Sequence, residues 1–358
     1  MLPSGVLTTN YESDMAIVRT KTQWLLLAVG IGLLFSVSLF ASNYWLTWLT
    51  RVAIYVVAIL GLHILTGLCG QFSIGHMAFL GVGAYVVAVL TSQLGLSGWL
   101  CLPLSGLAAG VVGLFFGLPC FRLKGFYLAI STLAANFIIV WLMEHFQWQN
   151  AEGLTVGGSV GLTVPRLTLA GIDLNSKSAF YCVAIAVMLA ATFFAKNLQR
   201  TRTGRAFVAI RDNELAAQIS GMGLFRYKML AFFIGCFYAG VAGWLWAYSI
   251  RSVNPLQFGL DDSIWLVGML IIGGMGSTTG AFFGALSFSL LEEFIDRIRP
   301  VLEDAFPSMA LQLNVALSLG VFSIVILIFL IKEPRGLYHL WEKFKLYYRL
   351  YPYAYMRE

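Results

Sequence analysis

Few residues of this 358-residue chain could do chemistry, and their spacing decides what kind. The four histidines (His63, His76, His145, His339) contain no HExxH pair, the arrangement that places two imidazoles on one helix face for zinc. His63 and His76 lie in or near apolar segments. They can be read as a proton relay or, more commonly, as neutral hydrogen-bonded histidines. Five cysteines (Cys69, Cys101, Cys120, Cys182, Cys236) are scattered without CxxC spacing and read as small hydrophobes, with no disulfide frame and no metal site. The acidic clusters Asp261/Asp262 and Glu292/Glu293/Asp296 sit at ends of apolar runs and read as solvated helix ends rather than an acid–base pair. "GGMGSTTG" (273–280) looks like a phosphate loop, but it lacks the GK[ST] ending and follows an apolar run instead of a strand. "GVGAY" (81–85) has two of the three dinucleotide glycines and also lies in an apolar run. The expectation is a non-enzyme with no catalytic residues, no metal and no cofactor of its own. Any ATP it uses is bound by another polypeptide.

The elements that must carry these residues are set by composition. The chain is 59% hydrophobic and 11% charged, with a mean hydropathy of +0.81. A soluble domain carries roughly 25% charged residues, so this composition cannot make a solvated surface, and the bilayer is the better solvent. The net charge of +6 sits between greasy runs with no basic-aromatic module, which argues against nucleic acid as a partner.

Ten segments are apolar enough to be spans: 24–41, 46–68, 76–95, 98–119, 125–145, 178–195, 229–250, 262–275, 279–295 and 311–331. Trp24 to Ala41 lacks an A-x-A-like cleavage site and reads as a retained first span. The eighth and ninth are interrupted by Gly273, Gly274, Gly276 and Gly280 and could be half-helices that meet inside the protein. Ten spans put both termini on one side. With that side cytoplasmic, 17 of the 23 Lys and Arg fall inside, including Arg19, Lys21, Arg122 and Lys124, which agrees with the positive-inside bias. The fold expected is therefore all-α and polytopic, with cytoplasmic N and C termini. A tail over 1–23 precedes a transmembrane domain over 24–331, and a basic-aromatic tail over 332–358 meets the lipid interface. Gly106, Gly110, Gly113 and Gly117 fall on one helix face, as do Gly235, Ala239 and Gly243 on another. Such stripes chiefly mark close helix packing. The outer segment 146–177 carries Gly157, Gly158 and Gly161, which suit tight reversals; a flexible loop and a vestibule or docking surface are equally open readings.

One polar island interrupts this pattern, "TRTGRAFVAIRDNELAAQISG" (201–221). Asp212 or Asn213 can cap a helix, with Glu214 in its first turn, and Gly221 can end it in a left-handed C-cap. Upstream, Gly204 to Arg211 makes a second short helix or turn. Such short pieces need a partner surface. A connector lying on headgroups is one reading. A helix seated in a cleft of a soluble subunit is the other, and the small Ala216–Ala217 pair favours it.

Five stretches in order resemble the LivM-type permease subunits of branched-chain amino-acid ABC transporters: "GLCGQFSIGHMAFLGVGAY" (67–85), "FRLKGFYLAISTLA" (121–134), "LTVGGSVGL" (154–162), "GRAFVAIRDNELAAQISGMGLFRYKMLAFFIGCFYAGVAG" (204–243) and "SIWLVGMLIIGGMGSTTGAFFGA" (263–285). The resemblance implies that 201–221 is the coupling helix that docks on an ATPase subunit. Gly204, Arg205, Arg211, Glu214, Ala216, Ala217 and Gly221 would form it, with Arg211 and Glu214 as charged contacts. It further implies a LivH-type second permease, two ATPase subunits holding ATP and Mg, and a periplasmic substrate-binding receptor near Gly157, Gly158 and Gly161, all at a bacterial inner membrane. Family members also serve urea, short amides and aromatic acids, so the substrate stays open. Gln71, Ser73 and His76 follow Gly70 at a polar break and are the candidates for lining a translocation path. A stand-alone secondary transporter or channel is the remoter reading, disfavoured because the spans offer almost no buried carboxylates.

Overall fold

A stretch of bilayer length can satisfy its backbone only by hydrogen bonds within itself, so the apolar runs fold as helices. A computed structural model describes residues 21–120, 126–149, 155–158, 161–169, 172–173, 176–305 and 310–350. The first 20 residues of the N-terminal tail, Arg122 and Lys124, and the last eight residues of the C-terminal tail lie outside them. Helices α1 (Lys21–Phe40), α2 (Asn43–Leu62), α3 (His76–Gln93), α4 (Gly98–Cys120), α5 (Phe126–His145) and α6 (Lys177–Leu198) come first. Two short helices follow, α7 (Arg202–Asp212) and α8 (Glu214–Ile219). Then come α9 (Leu224–Ile250), α10 (Leu260–Gly273), α11 (Thr278–Ala305), α12 (Ala310–Lys332) and α13 (Leu337–Leu350). The ten long helices stand where the ten apolar segments do. Among the described residues, eight helices (α1 to α6, α9 and α10) are long and apolar enough to cross a membrane. The protein is a polytopic all-α membrane protein.

Helices α2 and α9 form the centre. Helix α9 packs on α4, α3 and α2, while α2 also packs on α6 and α11. The approach is close because small residues line it. A Cβ built on Gly243 would lie 2.1 Å from the Leu80 carbonyl oxygen, and one on Gly83 would lie 2.5 Å from the Gly240 Cα. Gly106, Gly110 and Gly113 of α4 face Phe237, Phe233 and Cys236 of α9 in the same way. Packing is thus the work of this stripe. The Trp244 indole, fully buried, donates to the Gly98 carbonyl at 2.7 Å and ties α9 to the start of α4.

The outer faces are greasy. Leu39, Phe40 and Phe115 are 79%, 88% and 70% exposed, which water would penalise and lipid does not. Helix α1 lies at the edge, joined to α6 where the Tyr181 hydroxyl donates to the Leu34 carbonyl at 2.9 Å. Helix α13 is amphipathic. Trp341 rests against Phe283 of α11 at 6.1 Å between centroids, and Phe344 and Tyr347 stay exposed, as suits an interfacial helix.

Among the described residues, six short strands make three antiparallel pairs: β1 (Gln147–Gln149) with β2 (Thr155–Gly157), β3 (Leu162–Thr163) with β6 (Ser252–Val253), and β4 (Thr168–Leu169) with β5 (Ile172–Asp173).

Candidate functional site

Two helix breaks meet, each partly buried, with Gly70 of one and Met275 and Gly276 of the other exposed. Helix α2 runs into a π-helical turn, His63–Leu68, and ends; the chain then passes through Cys69–Gly75 before α3 begins. A π turn is uncommon and often marks a functional position. Gly70 adopts φ +74°, which a side chain would resist. The second break, 274–277, separates α10 from α11, with Gly274 at φ +110°. His63 joins the breaks: its Nδ1 lies 2.7 Å from the Met275 carbonyl oxygen.

Gln71, Ser73 and His76 sit in or at the end of the first break at 3%, 1% and 0% exposure. Both polar atoms of the Gln71 amide and the Ser73 hydroxyl have no hydrogen-bond partner. The His76 ring lies close to α2, with Nε2 3.1 Å from a Cβ built on Gly61. The backbone of the break is held from outside instead. The Ile74 N–H donates to Thr132 Oγ1 at 3.0 Å, and the Met77 N–H donates to Ser263 Oγ at 3.1 Å. The Asn136 amide donates to the same serine at 3.2 Å. These three residues, on α5 and α10, escaped the reading of the break. Their signal is present in the sequence, since Thr132 and Asn136 are polar residues four apart in an apolar span.

Asn136 also floors a groove of about 740 Å³ along α5, lined further by Phe137, Trp141, Glu144, Gly259 and Leu260. None of Gln71, Ser73 and His76 is among its lining residues. A smaller pocket of about 170 Å³ lies between Tyr55, Asp262, Trp265, Phe288 and Glu292, with Arg51 3.4 Å from Glu292. The two acidic clusters are therefore split. Asp262 and Glu292 share a half-buried, aromatic-walled pocket, while Glu293 and Asp296 pair with Arg297 and Arg299 at the surface.

The island folds as a helix–cap–helix unit. Thr201 caps α7 by accepting the Gly204 N–H at 3.2 Å. Gly204 is required there, because a Cβ would stand 2.1 Å from the Leu198 carbonyl oxygen. Of the two possible caps for α8 it is Asn213 that serves, accepting the Ala216 N–H at 3.1 Å. At the other end Gly221, φ +82°, closes a Schellman motif: its N–H donates to Gln218 and the Met222 N–H donates to Ala217, at 3.0 and 3.1 Å. Phe207 and Ile210 are buried, as is Ala217, while Arg205 and Ala216 are exposed. Leu215 and Ile219 are 65% and 88% exposed on one face of α8. The charged groups of Arg211 and Glu214 turn toward the chain's own spans. Arg211 Nη1 donates to the Gly67 carbonyl at 2.8 Å, and Lys228 Nζ of α9 donates to Glu214 Oε1 at 2.5 Å.

The outer glycines belong to a different part of the molecule. Gly157 pairs with Gln147, and Gly158 (φ +62°) donates to the Phe146 carbonyl at 3.1 Å. Gly161 (φ +78°) leads into β3, where Leu162 is buried, as is Val164 just after it. The described part of this segment is thus anchored to the end of α9 through β6.

The chain is thus a polytopic bundle with two helix breaks and a capped polar unit attached to one of them. The chain belongs to the family described as the branched-chain amino acid transport system permease component, whose model matches residues 44–330. It is 31% identical over 270 residues to the high-affinity branched-chain amino acid transport permease LivM of Salmonella typhimurium and, equally, to that of Escherichia coli. These matches cover 69% of this chain and 62% of each relative, so the chain matches somewhat less than two thirds of their length. The LivH permease of Escherichia coli is 25% identical over 253 residues, 66% of this chain and 80% of LivH. No solved structure matches.

Proposed function

We propose that this chain is a transmembrane permease subunit of an ABC importer for branched-chain amino acids in a bacterial inner membrane. It has ten spans, and both termini are cytoplasmic. It performs no catalysis and binds no cofactor; ATP and Mg are held by two ATPase subunits, and a LivH-type chain is the second permease. A periplasmic receptor delivers substrate near Gly157, Gly158 and Gly161.

One observation carries this reading. The unit of α7 and α8 is capped at both ends and offers Leu215, Ala216 and Ile219 outward, between helices that lead into the membrane. An apolar face of this size is unfavourable in water and fits a cleft on a soluble partner. Arg205 flanks it and Gly204 and Gly221 fix its ends.

The test is to tag the chain in its native membrane, extract it gently and identify what co-purifies. An ATPase and a second permease are expected, with uptake of leucine, isoleucine or valine on reconstitution with ATP and receptor. A chain that emerges alone and transports alone overturns the reading.

The path is proposed to involve Gln71, Ser73 and His76, exposed when the first break opens. Their unpartnered polar atoms support this, because a buried amide or hydroxyl without a partner costs about 1–3 kcal/mol and is offset once substrate or water reaches it. Replacing Gln71 and Ser73 together by alanine is expected to leave assembly intact and lower transport by about tenfold or more. Unchanged transport removes both from the path.

A further inference from the structure

We infer that Arg211 and His63 form a mechanical link from the α7–α8 unit to the two helix breaks, with Arg211 acting as a positioning residue rather than as a docking contact. This rests on the importer reading above and adds to it the route by which movement of the unit reaches the spans.

The geometry begins at Gly67. The last carbonyls of a helix lack partners within it and need outside donors. Gly67, near the end of the π turn, finds one in the Arg211 guanidinium at 2.8 Å. The same guanidinium donates through Nε and Nη2 to Asp212 Oδ1, at 3.0 and 2.9 Å, which leaves Nη1 for the Gly67 carbonyl. The stem of Arg211 lies on the backbone of the break. A Cβ built on Gly70 would stand 3.0 Å from Arg211 Cγ and 3.3 Å from its Cα. Arg211 therefore grips the break at two points, Gly67 and Gly70.

One turn earlier, His63 continues the chain of contacts. Nδ1 faces the Met275 carbonyl at 2.7 Å, so it carries the proton and donates. Nε2 is then the acceptor, and the Gln199 amide nitrogen donates to it at 2.8 Å. Gln199 precedes the Thr201 cap of α7, whereas Arg211 closes the same helix. The C-cap of α6, just ahead of α7, and the last turn of α7 are thus both fastened to one π turn. Gly67 sits between the partners: a Cβ there would lie 2.0 Å from the Met275 oxygen and 2.6 Å from His63 Nδ1. Packed contacts with no slack transmit displacement instead of absorbing it. A shift of α7 moves the Gly67 carbonyl directly and the Met275 carbonyl through His63. The salt bridge from Glu214 to the buried Lys228 carries α8 along with α9.

The experiment uses the whole assembly in liposomes with Arg211→Ala and Arg211→Lys. Arg211→Ala is expected to co-purify with the ATPase at wild-type yield and to hydrolyse ATP. Its uptake should fall by about tenfold or more, so that the ATP used per molecule imported rises. Arg211→Lys, which can still reach the Gly67 carbonyl, is expected to recover part of the coupling. Loss of the ATPase on purification would make Arg211 a docking contact and overturn the inference, as would unchanged uptake. A second measurement needs no partner. Amide hydrogen exchange of the tagged chain should rise by about tenfold at Gly70 and Gln71 in Arg211→Ala and stay unchanged within α9. Equal exchange in the two chains overturns the link even if the importer reading stands. A wild-type chain that captures no ATPase sinks the importer reading while leaving the exchange result to decide the link.

Discussion

Replacing Leu215 and Ile219 together by glutamate is expected to strip the ATPase from the purified assembly and abolish ATP-driven uptake, while the permease itself stays folded in the membrane. The two side chains are four residues apart on α8, and their 65% and 88% exposure means that the isolated chain loses no core packing when they change. Seated in a partner's cleft, each would contribute about 2 kcal/mol, so losing both costs about 4 kcal/mol, roughly a thousandfold in Kd. Two carboxylates pressed into an apolar cleft add a desolvation penalty. The measurement is ATPase co-purification beside the chain's own elution profile. An ATPase retained at wild-type yield would place docking on another surface. The neighbouring Gln218, exposed but polar, provides a control, since Gln218→Ala should matter little.

Gly243→Leu is expected to act on the permease itself. Its α carbon meets α3 backbone to backbone: an added Cβ would stand 2.1 Å from the Leu80 oxygen and 2.8 Å from the Ala84 nitrogen. Neither atom can turn aside as a side-chain tip would. The helices must part, and the contact of Phe79 with Phe232 loosens with them. The cost is about 3 kcal/mol, which for a chain of 358 residues corresponds to a fall of about 4 °C in melting temperature. Gly32→Leu on α1 is the comparison, because nothing lies within 4 Å of the added carbon. Thermal unfolding followed by size-exclusion should separate the two variants. Equal melting would show that α9 and α3 do not pack as described.

The helices were legible because bilayer length and hydropathy define them almost without help. Helix α6 was expected over 178–195 and spans Lys177–Leu198. Helix α11 was harder: expected over 279–295, it runs from Thr278 to Ala305. Its continuation carries Asp296, Arg297 and Arg299, whose pairs along the helix stabilise turns that hydropathy scores against. The caps were local and so readable: Gly221 took its left-handed role, and the choice between Asp212 and Asn213 fell to Asn213. The polar break at Gln71, Ser73 and His76 stood out by composition, but its burial did not. The π turn could not be read at all, because its partners Gln199, Arg211 and Met275 are far away in sequence. Charge by composition names no partners. Arg211 and Glu214 stand out in a polar stretch, and the fold supplies their partners within the chain, Gly67 and Lys228.

The glycine contacts among α3, α4 and α9 restrict how this molecule can change shape. Where backbone touches backbone, no side chain is left to rotate or slide, so these three helices share one set of rigid-body coordinates. The chain leaves helical geometry at 69–75 and 274–277, with glycine backbones at positive φ, beside helices that also meet backbone to backbone, Gly61 on Gly235 and Gly273 on Gly280. The protein is then one packed block, and the two breaks are the stretches where a change of backbone shape gives up the fewest helical hydrogen bonds.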